Sequence, residues 1–323
     1  MAMVQKDSQL PQIVLTGSLA VDQILHFNGS LAAELAGTDL KTLSLSVLLT
    51  GFEKSLGGVA GNIAYSLALL GEVPVLYASL GRDQTEYLNK LTTQGVDTSQ
   101  VHLSELATAS FTVLTDKNGG QIGGFYPGAM SDAQSLSLEK FQNHNSLIVI
   151  SAHDPAQMAV QIQQVEALKL RLVFDLGQQV AALDSKVIVQ GLNSAEVLLV
   201  NEFELELISK KTGLNHDQIF KLVPLVIVTL AEKGCLAYDQ SSSPLVVKAV
   251  TAALIDPTGA GDAFRAGFLY GFIRNWSVKK SCQLAATTAA VAVESHGTQN
   301  HFFDKKTLAT RYQLEYHQVL DWA

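Results

Sequence analysis

The sequence has little charge, few cysteines and no long hydrophobic run, and each shortage excludes a class of protein. Only 16% of its 323 residues are charged, whereas globular domains carry about 25%. The 22 Lys and Arg residues are outnumbered by 30 Asp and Glu residues, which gives a formal net charge of −8. Nucleic acids and anionic membranes are bound through clustered positive charge, and no Lys/Arg run occurs, so we expect neither as a partner. An anion such as ATP can still bind where backbone N–H groups face it.

The hydrophobic residues, 47% of the chain, are spread over many short segments. The runs Leu43–Leu49 and Ala285–Val293 are too short or too polar to span a bilayer. Residues 1–10 lack the basic-then-apolar layout of a secretory signal. Cys235 and Cys282 are far apart and outside any CxxC pair, so neither a disulfide scaffold nor a zinc site is expected. Because disorder needs low hydrophobicity and high charge, we expect a folded protein. The missing signal layout and disulfide pattern make the cytoplasm the expected compartment.

Short apolar runs alternate with longer amphipathic segments, a pattern typical of βαβ units and a mainly parallel sheet. The predicted strands are Ile13–Thr16, Val75–Ala78, Leu147–Ser151, Leu170–Asp175, Val197–Val200 and Leu225–Leu230. The predicted helices are Ala60–Leu70, Gln84–Thr93, Pro155–Leu168, Glu202–Ser209, Asp217–Leu222, Gly261–Ile273 and Val278–Ser295. The strands are almost continuously apolar, so helices must cover both faces of the sheet. The sequence therefore predicts an α/β fold.

Two segments, residues 22–56 and 107–128, break this alternation. The second predicts a hairpin of Ser110–Thr115 and Gln121–Phe125, because Asn118-Gly119 between β-prone runs is a strong turn signal. Both segments can form a small sheet over the carboxyl ends of the parallel strands, where ligands bind in open α/β sheets. No linker or repeat interrupts the chain, so we expect one domain over residues 1–323 with a β lid.

The segment Asp256–Phe268, which reads DPTGAGDAFRAGF, is the most informative part of the sequence. Pro257 cannot lie inside a helix, whereas the residues after Asp262 have helical composition, so a helix begins near Gly261. The two glycines allow close backbone approach, and successive N–H groups can then point at one oxyanion. Such a helix start would stabilise negative charge on a phosphoryl group during transfer.

Asp262 stands at the start of this helix, and two roles are open for it. It can cap the helix by accepting hydrogen bonds from N–H groups, or it can accept a hydroxyl proton during phosphoryl transfer. Other motifs are absent, because the sequence has no GxxxxGK[ST] loop, no third glycine of the dinucleotide fingerprint and no HExxH, GxSxG or CxxC. A P-loop NTPase and a zinc hydrolase are thereby excluded.

The segment Asp256–Gly267 closely resembles the C-terminal signature of the ribokinase-like (PfkB) family of sugar and nucleoside kinases. Gly57–Asn62 resembles the family's N-terminal glycine-pair signature, and Gly17–Asp22 fits its substrate-binding segment. The resemblance covers nearly the whole chain. It implies a ribokinase-like three-layer αβα sandwich with a mainly parallel central sheet and a small β lid. It also implies ATP as phosphoryl donor and Mg²⁺ as cofactor.

The resemblance implies a role for each matching residue. Asp262 would be the base that deprotonates the substrate hydroxyl, beside an anion hole formed by the N–H groups of Gly259, Ala260 and Gly261. The residues that would bind the substrate are Ser18, Asp22, Gly57, Gly58, Asn62, Phe111, Phe125, Gln178 and Gln179. The residues that would contact ATP are Asn201, Thr229, Gly234, Gly259 and Gly261.

Two further elements of the family concern cations and the nucleotide. Asn201–Glu204 resembles the Asn-x-x-Glu element, which implies that Asn201 and Glu204 hold Mg²⁺, largely through water; alternatively, the acidic residues only compensate the helix dipole. Asp256 and Thr258 stand where some relatives bind a monovalent cation such as K⁺. Thr229–Gly234 resembles the nucleotide loop, with Ala231 at a position where glycine is frequent.

Within the family, the sequence is most similar to the bacterial adenosine kinases, on the segments Thr16–Asp22, Gly57–Ala64, Phe125–Ser131, Gln178-Gln179 and Glu294–Gln299. The two phenylalanines of the lid, Phe111 and Phe125, could stack on a base, or they could fill the core of the lid. Gln178 and Gln179 could contact the edge of the base.

The expected activity is transfer of the γ-phosphoryl group of ATP to the 5′-hydroxyl of adenosine, which gives AMP. Two alternatives stay open. The first is a kinase for another nucleoside or a sugar, such as inosine, ribose or fructose. The second is a non-catalytic member that senses a nucleotide or a sugar. A homodimer through the lid is expected from the family.

Overall fold

The structure, a computed structural model, describes residues 10–36, 41–42, 44–132, 136–240 and 243–322. Residues 1–9, on which the expectation of no secretory signal rests, lie outside the described residues. So do residues 37–40 and 43 of the first predicted lid segment, and residue 43 also begins the run Leu43–Leu49. Within the described part of the chain, no helix is both long enough and apolar enough to cross a membrane.

The strands and helices follow the predicted alternation closely. The strands are β1 (Gln12–Thr16), β2 (Ala20–Phe27), β3 (Gly51–Gly57), β4 (Val75–Leu76), β5 (Ser79–Gly81), β6 (His102–Ser104), β7 (Ala109–Asp116), β8 (Gln121–Tyr126), β9 (Ser146–Ile150), β10 (Arg171–Phe174), β11 (Val197–Asn201), β12 (Leu225–Thr229), β13 (Cys235–Tyr238) and β14 (Leu245–Val247). The α-helices are α1 (Leu31–Leu35), α2 (Val59–Leu69), α3 (Thr85–Gln94), α4 (Pro155–Leu168), α5 (Ser185–Ser194), α6 (Glu202–Thr212), α7 (His216–Leu222), α8 (Ala260–Ile273), α9 (Val278–Ala292) and α10 (Lys305–Tyr316).

The central sheet has the strand order β14-β13-β12-β11-β10-β9-β1-β4. All neighbours from β4 to β12 run parallel, whereas β13 and β14 are antiparallel additions at one edge. The prediction of a mainly parallel sheet is therefore confirmed.

Alternate residues of the central strands pack on opposite faces of the sheet. In β9, Leu147 and Val149 join one buried cluster with residues of α2, α8, α9 and α10. Ile148 and Ile150 join a second cluster with residues of α4, α5, α6 and α7. All four side chains are fully buried. A strand buried on both faces needs this continuous apolar composition, and the result is the predicted three-layer sandwich.

The lid is a separate four-stranded sheet of order β3-β2-β7-β8, and a pair formed by β5 and β6 lies outside both larger sheets. Strand β2 runs antiparallel to β3 and parallel to β7, and β7 and β8 form the predicted hairpin. Asp116 closes the hairpin turn, because its Oδ1 accepts hydrogen bonds from the N–H groups of Asn118 and Gly120, both at 2.8 Å. Gly119, with φ of +83°, adopts the left-handed conformation that the turn requires.

Candidate active site

The glycine-rich segment leads into the N-terminus of α8, where two backbone N–H groups have no acceptor among the described residues. Gly259 is the N-cap of α8 with φ of +80°, and a methyl group on it would lie 3.1 Å from Thr298, so both conformation and space favour glycine. Ala260 donates its N–H to the carbonyl oxygen of Pro257 at 3.2 Å. No acceptor in the described part of the chain takes the N–H of Gly259 or Gly261. Two of the three predicted anion-hole donors are therefore available to a ligand.

Asp262 lies in the first turn of α8, and its carboxylate is bound by a different helix. Oδ2 accepts a hydrogen bond from Nδ2 of Asn62, on α2, at 2.7 Å. Burial raises the pKa of Asp262 to about 6, against the charge of Arg265 and the hydrogen bond of Asn62, which lower the pKa. The neighbouring carboxylates of Asp175 and Glu204 add to the rise. A general base is most effective when its pKa lies near the working pH, so this environment suits the base better than the cap.

A buried chain of hydrogen bonds fixes the orientation of the Asn62 amide. Tyr87, on α3, donates its hydroxyl to the carbonyl oxygen of Gly57 at 2.7 Å. Nε2 of Gln299 donates to Oη of Tyr87 at 2.6 Å and to Oδ1 of Asn62 at 2.9 Å. A backbone carbonyl can only accept, so every donor in the chain points away from Asp262 except Nδ2 of Asn62. Tyr87 and Gln299 thereby keep the N–H side of Asn62 on the carboxylate.

The sequence assigned no role to Tyr87 or Gln299. Gln299 lies in a segment that carries the family resemblance, and it is 2% exposed, which for a polar side chain requires buried partners. Tyr87 lies in no motif. Burial raises the pKa of the Tyr87 hydroxyl, and the negative charges of Asp22 and Asp262 add to the rise.

Asp22 and the two lid phenylalanines share one row of the lid sheet. In the strand register Asp22 lies opposite Phe111, and Phe111 lies opposite Phe125. Residues that are opposite each other in a sheet project from the same face. The side chains of Phe111 and Phe125 are 40% and 49% exposed, so neither is packed in the lid core. Burial raises the pKa of Asp22.

The glycine pair joins lid strand β3 to helix α2. A methyl group on Gly57 would come within 2.9 Å of Oδ2 of Asp22, and one on Gly58, whose φ is +89°, within 2.5 Å of the Ser18 carbonyl oxygen. The hydroxyl of Ser18 accepts a hydrogen bond from Val59 N–H at 3.0 Å and so caps α2. Substrate binding by Ser18, Gly57 and Gly58 stays a prediction.

Gln178 and Gln179 lie just beyond the carboxyl end of β10, in the helical turn Gly177–Ala181. Gln178 is exposed and Gln179 is half-buried. Three residues earlier, Asp175 pairs with Arg265 of α8 at 2.6 Å. This pair was not singled out from the sequence, although Arg265 stands inside the glycine-rich motif.

Asn201 and Glu204 form a reciprocal capping box at the start of α6. Oδ1 of Asn201 accepts the Glu204 N–H at 2.8 Å, and Oε2 of Glu204 accepts the Asn201 N–H at 2.9 Å. Burial raises the pKa of Glu204. Among the described residues, no group of three His, Cys, Asp or Glu side chains could hold a metal ion. The Asn201 and Glu204 side chains carry the oxygen donors that Mg²⁺ prefers, in too small a number to hold the ion without water or nucleotide ligands. The Mg²⁺ site at Asn201 and Glu204 stays a prediction.

One predicted ATP contact, Thr229, lies beside this capping box. Thr229 lies opposite Asn201 in the pairing of β11 and β12. In the loop that follows, Gly234 has φ of +98°, and a methyl group there would meet the Val247 carbonyl oxygen at 2.1 Å. Ala231, the departure from the family pattern, adopts φ of +49°. This left-handed conformation explains why glycine is frequent at that position.

Asp256 ties together two loops beside the anion hole. Its Oδ1 accepts the Thr258 N–H and its Oδ2 accepts the Gly297 N–H, both at 2.9 Å. Burial pushes the pKa of Asp256 up, but these hydrogen bonds outweigh it and lower the pKa. Thr258 is exposed. The monovalent cation site at Asp256 and Thr258 stays a prediction.

Solved structures with the same fold are kinases. Burkholderia thailandensis nucleoside kinase in complex with inosine has a TM-score of 0.85 and 27% identity, covering 95% of this chain and all of that one. Arabidopsis thaliana ribokinase, complexed with ribose and ATP, has a TM-score of 0.76 at 20% identity, covering 94% of this chain and 99% of its own. The ribokinase-like sandwich and the glycine-rich helix start define the chain as a phosphotransferase that acts on a hydroxyl group.

The family follows from a match over most of the sequence. A model described as pfkB family carbohydrate kinase matches residues 25–305, so the chain belongs to the PfkB family. Kinases of this family use ATP, generally with Mg²⁺. The nucleoside kinase of Methanocaldococcus jannaschii is 27% identical over 277 residues, which are 85% of this chain and 90% of the relative.

Proposed function

We propose that the chain is a nucleoside kinase that transfers the γ-phosphoryl group of ATP to the 5′-hydroxyl of adenosine, giving AMP. The observation that carries the proposal is the hydrogen bond between Asn62 and Asp262. It joins the two signature motifs, 200 residues apart in sequence, at the open start of α8. The similarity to two nucleoside kinases supports a nucleoside as the acceptor.

Asp262 accepts the proton of the 5′-hydroxyl as the hydroxyl oxygen attacks the γ-phosphorus. Because Asn62 occupies Oδ2 as a donor, the proton goes to Oδ1. The new bond joins the 5′-oxygen to phosphorus, the bond from phosphorus to the β-phosphate oxygen breaks, and ADP leaves. The N–H groups of Gly259 and Gly261 stabilise the charge on the phosphoryl oxygens.

Asn201 and Glu204 would hold the Mg²⁺ ion that accompanies ATP, through its water ligands. When bound, the ion neutralises charge on the β- and γ-phosphates. The chain itself contributes the capping box, which holds the Glu204 carboxylate through its Oε2. Thr229, beside Asn201 in the sheet, and Gly234 line the same side of the nucleotide.

The lid binds the nucleoside through the row that contains Asp22. A carboxylate accepts hydrogen bonds from ribose hydroxyls, while Phe111 and Phe125 offer exposed aromatic faces for stacking on the base. Gln178 and Gln179 contact the base edge. An amide both donates and accepts hydrogen bonds, so it can pair with the 6-amino group of adenine or the 6-oxo group of hypoxanthine. Inosine is therefore the second candidate, and the inosine complex of the Burkholderia thailandensis enzyme favours it.

The test is ADP release with Mg·ATP over adenosine, inosine, guanosine, ribose and fructose, with and without K⁺. We expect adenosine to give the highest kcat/KM and F125A to raise its KM by about 10–100-fold, since stacking on a base contributes about 1–3 kcal/mol. T112A, on the opposite face of the lid next to Phe111, is the matched control and should leave KM unchanged. Turnover of ribose or fructose alone would refute the proposal, and no turnover with any acceptor would favour the sensing alternative.

We also propose that two copies associate through the outer face of the lid. One register row on the face opposite Asp22 is entirely apolar: Phe52, Leu25, Leu114 and Ile122. Phe52 is 59% exposed and Ile122 50%. Light scattering should give twice the mass of one chain for the wild type and the mass of one chain for F52E/I122E. A monomeric wild type at micromolar concentration would contradict this.

A further inference from the structure

Arg265 lies one helical turn after Gly261 on α8, and its side chain reaches back towards the helix start. Long side chains in helices point towards the N-terminus. A methyl group placed on Gly261 would be 2.6 Å from Nη1 of Arg265. The guanidinium group therefore lies directly beside the backbone of the predicted anion hole.

Asp175 holds the other edge of the guanidinium group. Nε of Arg265 is 2.6 Å from Oδ2 of Asp175, and Nη2 donates to Oδ1 at 2.6 Å. The two side chains are only 13% and 1% exposed. In the part of the chain that the structure describes, the hydrogen bond of the Arg265 guanidinium group comes from Nη2, and no acceptor takes one from Nη1. The pair with Asp175 thus fixes the plane of the guanidinium group and leaves its Nη1 donors for a ligand.

Arg265 is a cation among three carboxylates, at the end of α8 where the triphosphate of ATP is expected to bind. The carboxylates of Asp175, Glu204 and Asp262 all act on the guanidinium group. A triphosphate that approaches this end of α8 meets three negative charges. A planar guanidinium group recognises phosphate through two parallel N–H donors, which a flexible ammonium group cannot reproduce.

We propose that Arg265 is a further catalytic residue, whose Nη1 donates to an oxygen of the transferred γ-phosphoryl group. This rests on the proposed function. In the transfer step the 5′-oxygen binds phosphorus, its proton goes to Asp262, and the bond to the β-phosphate oxygen breaks. Arg265 stabilises the negative charge that the three phosphoryl oxygens carry in the transition state. Asp175 is a positioning residue, because it acts only through Arg265.

The experiment compares R265M with R274M, a matched control. Arg274 is the C-cap of the same helix and also forms a largely buried ion pair, with Glu72, at the end away from the anion hole. Calorimetry measures the dissociation constants of ADP and of the non-hydrolysable triphosphate AMP-PNP, and steady-state kinetics measures kcat for adenosine. We expect R265M to lower kcat by about 10²–10³-fold. In R265M, the dissociation constant of AMP-PNP should increase at least ten times more than that of ADP. R274M should leave kcat and both dissociation constants unchanged.

Three outcomes would overturn the role of Arg265. The first is a kcat of R265M within tenfold of wild type. The second is equal weakening of ADP and AMP-PNP. The third is loss of kcat that disappears at high pH, since that would show that Arg265 acts only on the pKa of Asp262. If R265M does not fold, R265K is measured instead, and a kcat near wild type then refutes the proposal. A wild-type chain that phosphorylates no nucleoside refutes the proposed function, yet the difference between AMP-PNP and ADP still tests Arg265.

Discussion

Replacing Asn62 by leucine should shift the acidic limb of the pH–rate profile upwards. Leucine has nearly the shape of asparagine but removes the N–H donor that lies 2.7 Å from Asp262 Oδ2. A hydrogen bond to a charged group contributes about 1.5–3 kcal/mol, and one pH unit corresponds to about 1.4 kcal/mol. The pKa of Asp262, about 6 in the native chain, should therefore rise by about one to two pH units in N62L.

The sign follows from the role of Asp262. The base works only when it is ionised, so kcat/KM increases with pH through the pKa of Asp262. The assay is kcat/KM for adenosine between pH 5 and pH 9, at saturating Mg·ATP. Wild type should reach half of its plateau near pH 6, and N62L about one to two pH units higher. Q299L should shift the limb in the same direction but less, because Asn62 remains and only loses its fixed orientation. An acidic limb of N62L at the same pH as that of wild type, or at a lower pH, would show that Asn62 does not lower the pKa of Asp262.

Substitutions of Asp262, Asp22 and Ala231 test the base, the nucleoside contact and the nucleotide loop. D262N should lower kcat by about 10²–10⁴-fold. Because ionisation of a carboxyl with a raised pKa opposes folding, D262N should also increase the free energy of unfolding by about 1–3 kcal/mol at pH 7 but not at pH 4; an equal gain at both would contradict this. D22A should raise the KM of adenosine and leave that of ATP unchanged. A231G should stabilise by about 0.5–1 kcal/mol in urea unfolding, since it relieves a left-handed alanine; the same change at Ala309, inside α10, should destabilise.

Local signals in the sequence were sufficient for most of the fold. Helix α4 begins and ends where predicted, because Asp154 accepts a hydrogen bond from the Gln157 N–H and Pro155 occupies the first turn. The same kind of signal precedes two helices that the sequence analysis did not identify. Asp184 caps α5 and Asp304 caps α10. Strands β13 and β14 were also missed, since they are only four and three residues long and neither is continuously buried.

The site could be predicted only as far as its motifs extend. The two signatures contain Asp262, Asn62 and the glycines. Close backbone approach restricts the glycine positions, and the fold brings Asn62 and Asp262 into hydrogen-bond contact. Gln299 and Arg265 act through partners 237 and 90 residues away in sequence. Such contacts depend on how α2, α8 and the strand ends pack, and no local pattern encodes them. The two cysteines illustrate the same limit, because Cys235 and Cys282 are free, buried thiols that the fold brings into contact.

Phosphoryl transfer by Asp262 can be tested by following the label of [γ-³²P]ATP into the nucleoside. Wild-type chain and D262N are each incubated with adenosine and Mg·ATP, and the products are separated. We expect wild type to form 5′-labelled AMP in step with ADP, and D262N to form it at least about a hundredfold more slowly while it still binds adenosine. Labelled AMP formed equally fast by both proteins, or by neither, would contradict the claim that Asp262 drives phosphoryl transfer to a nucleoside.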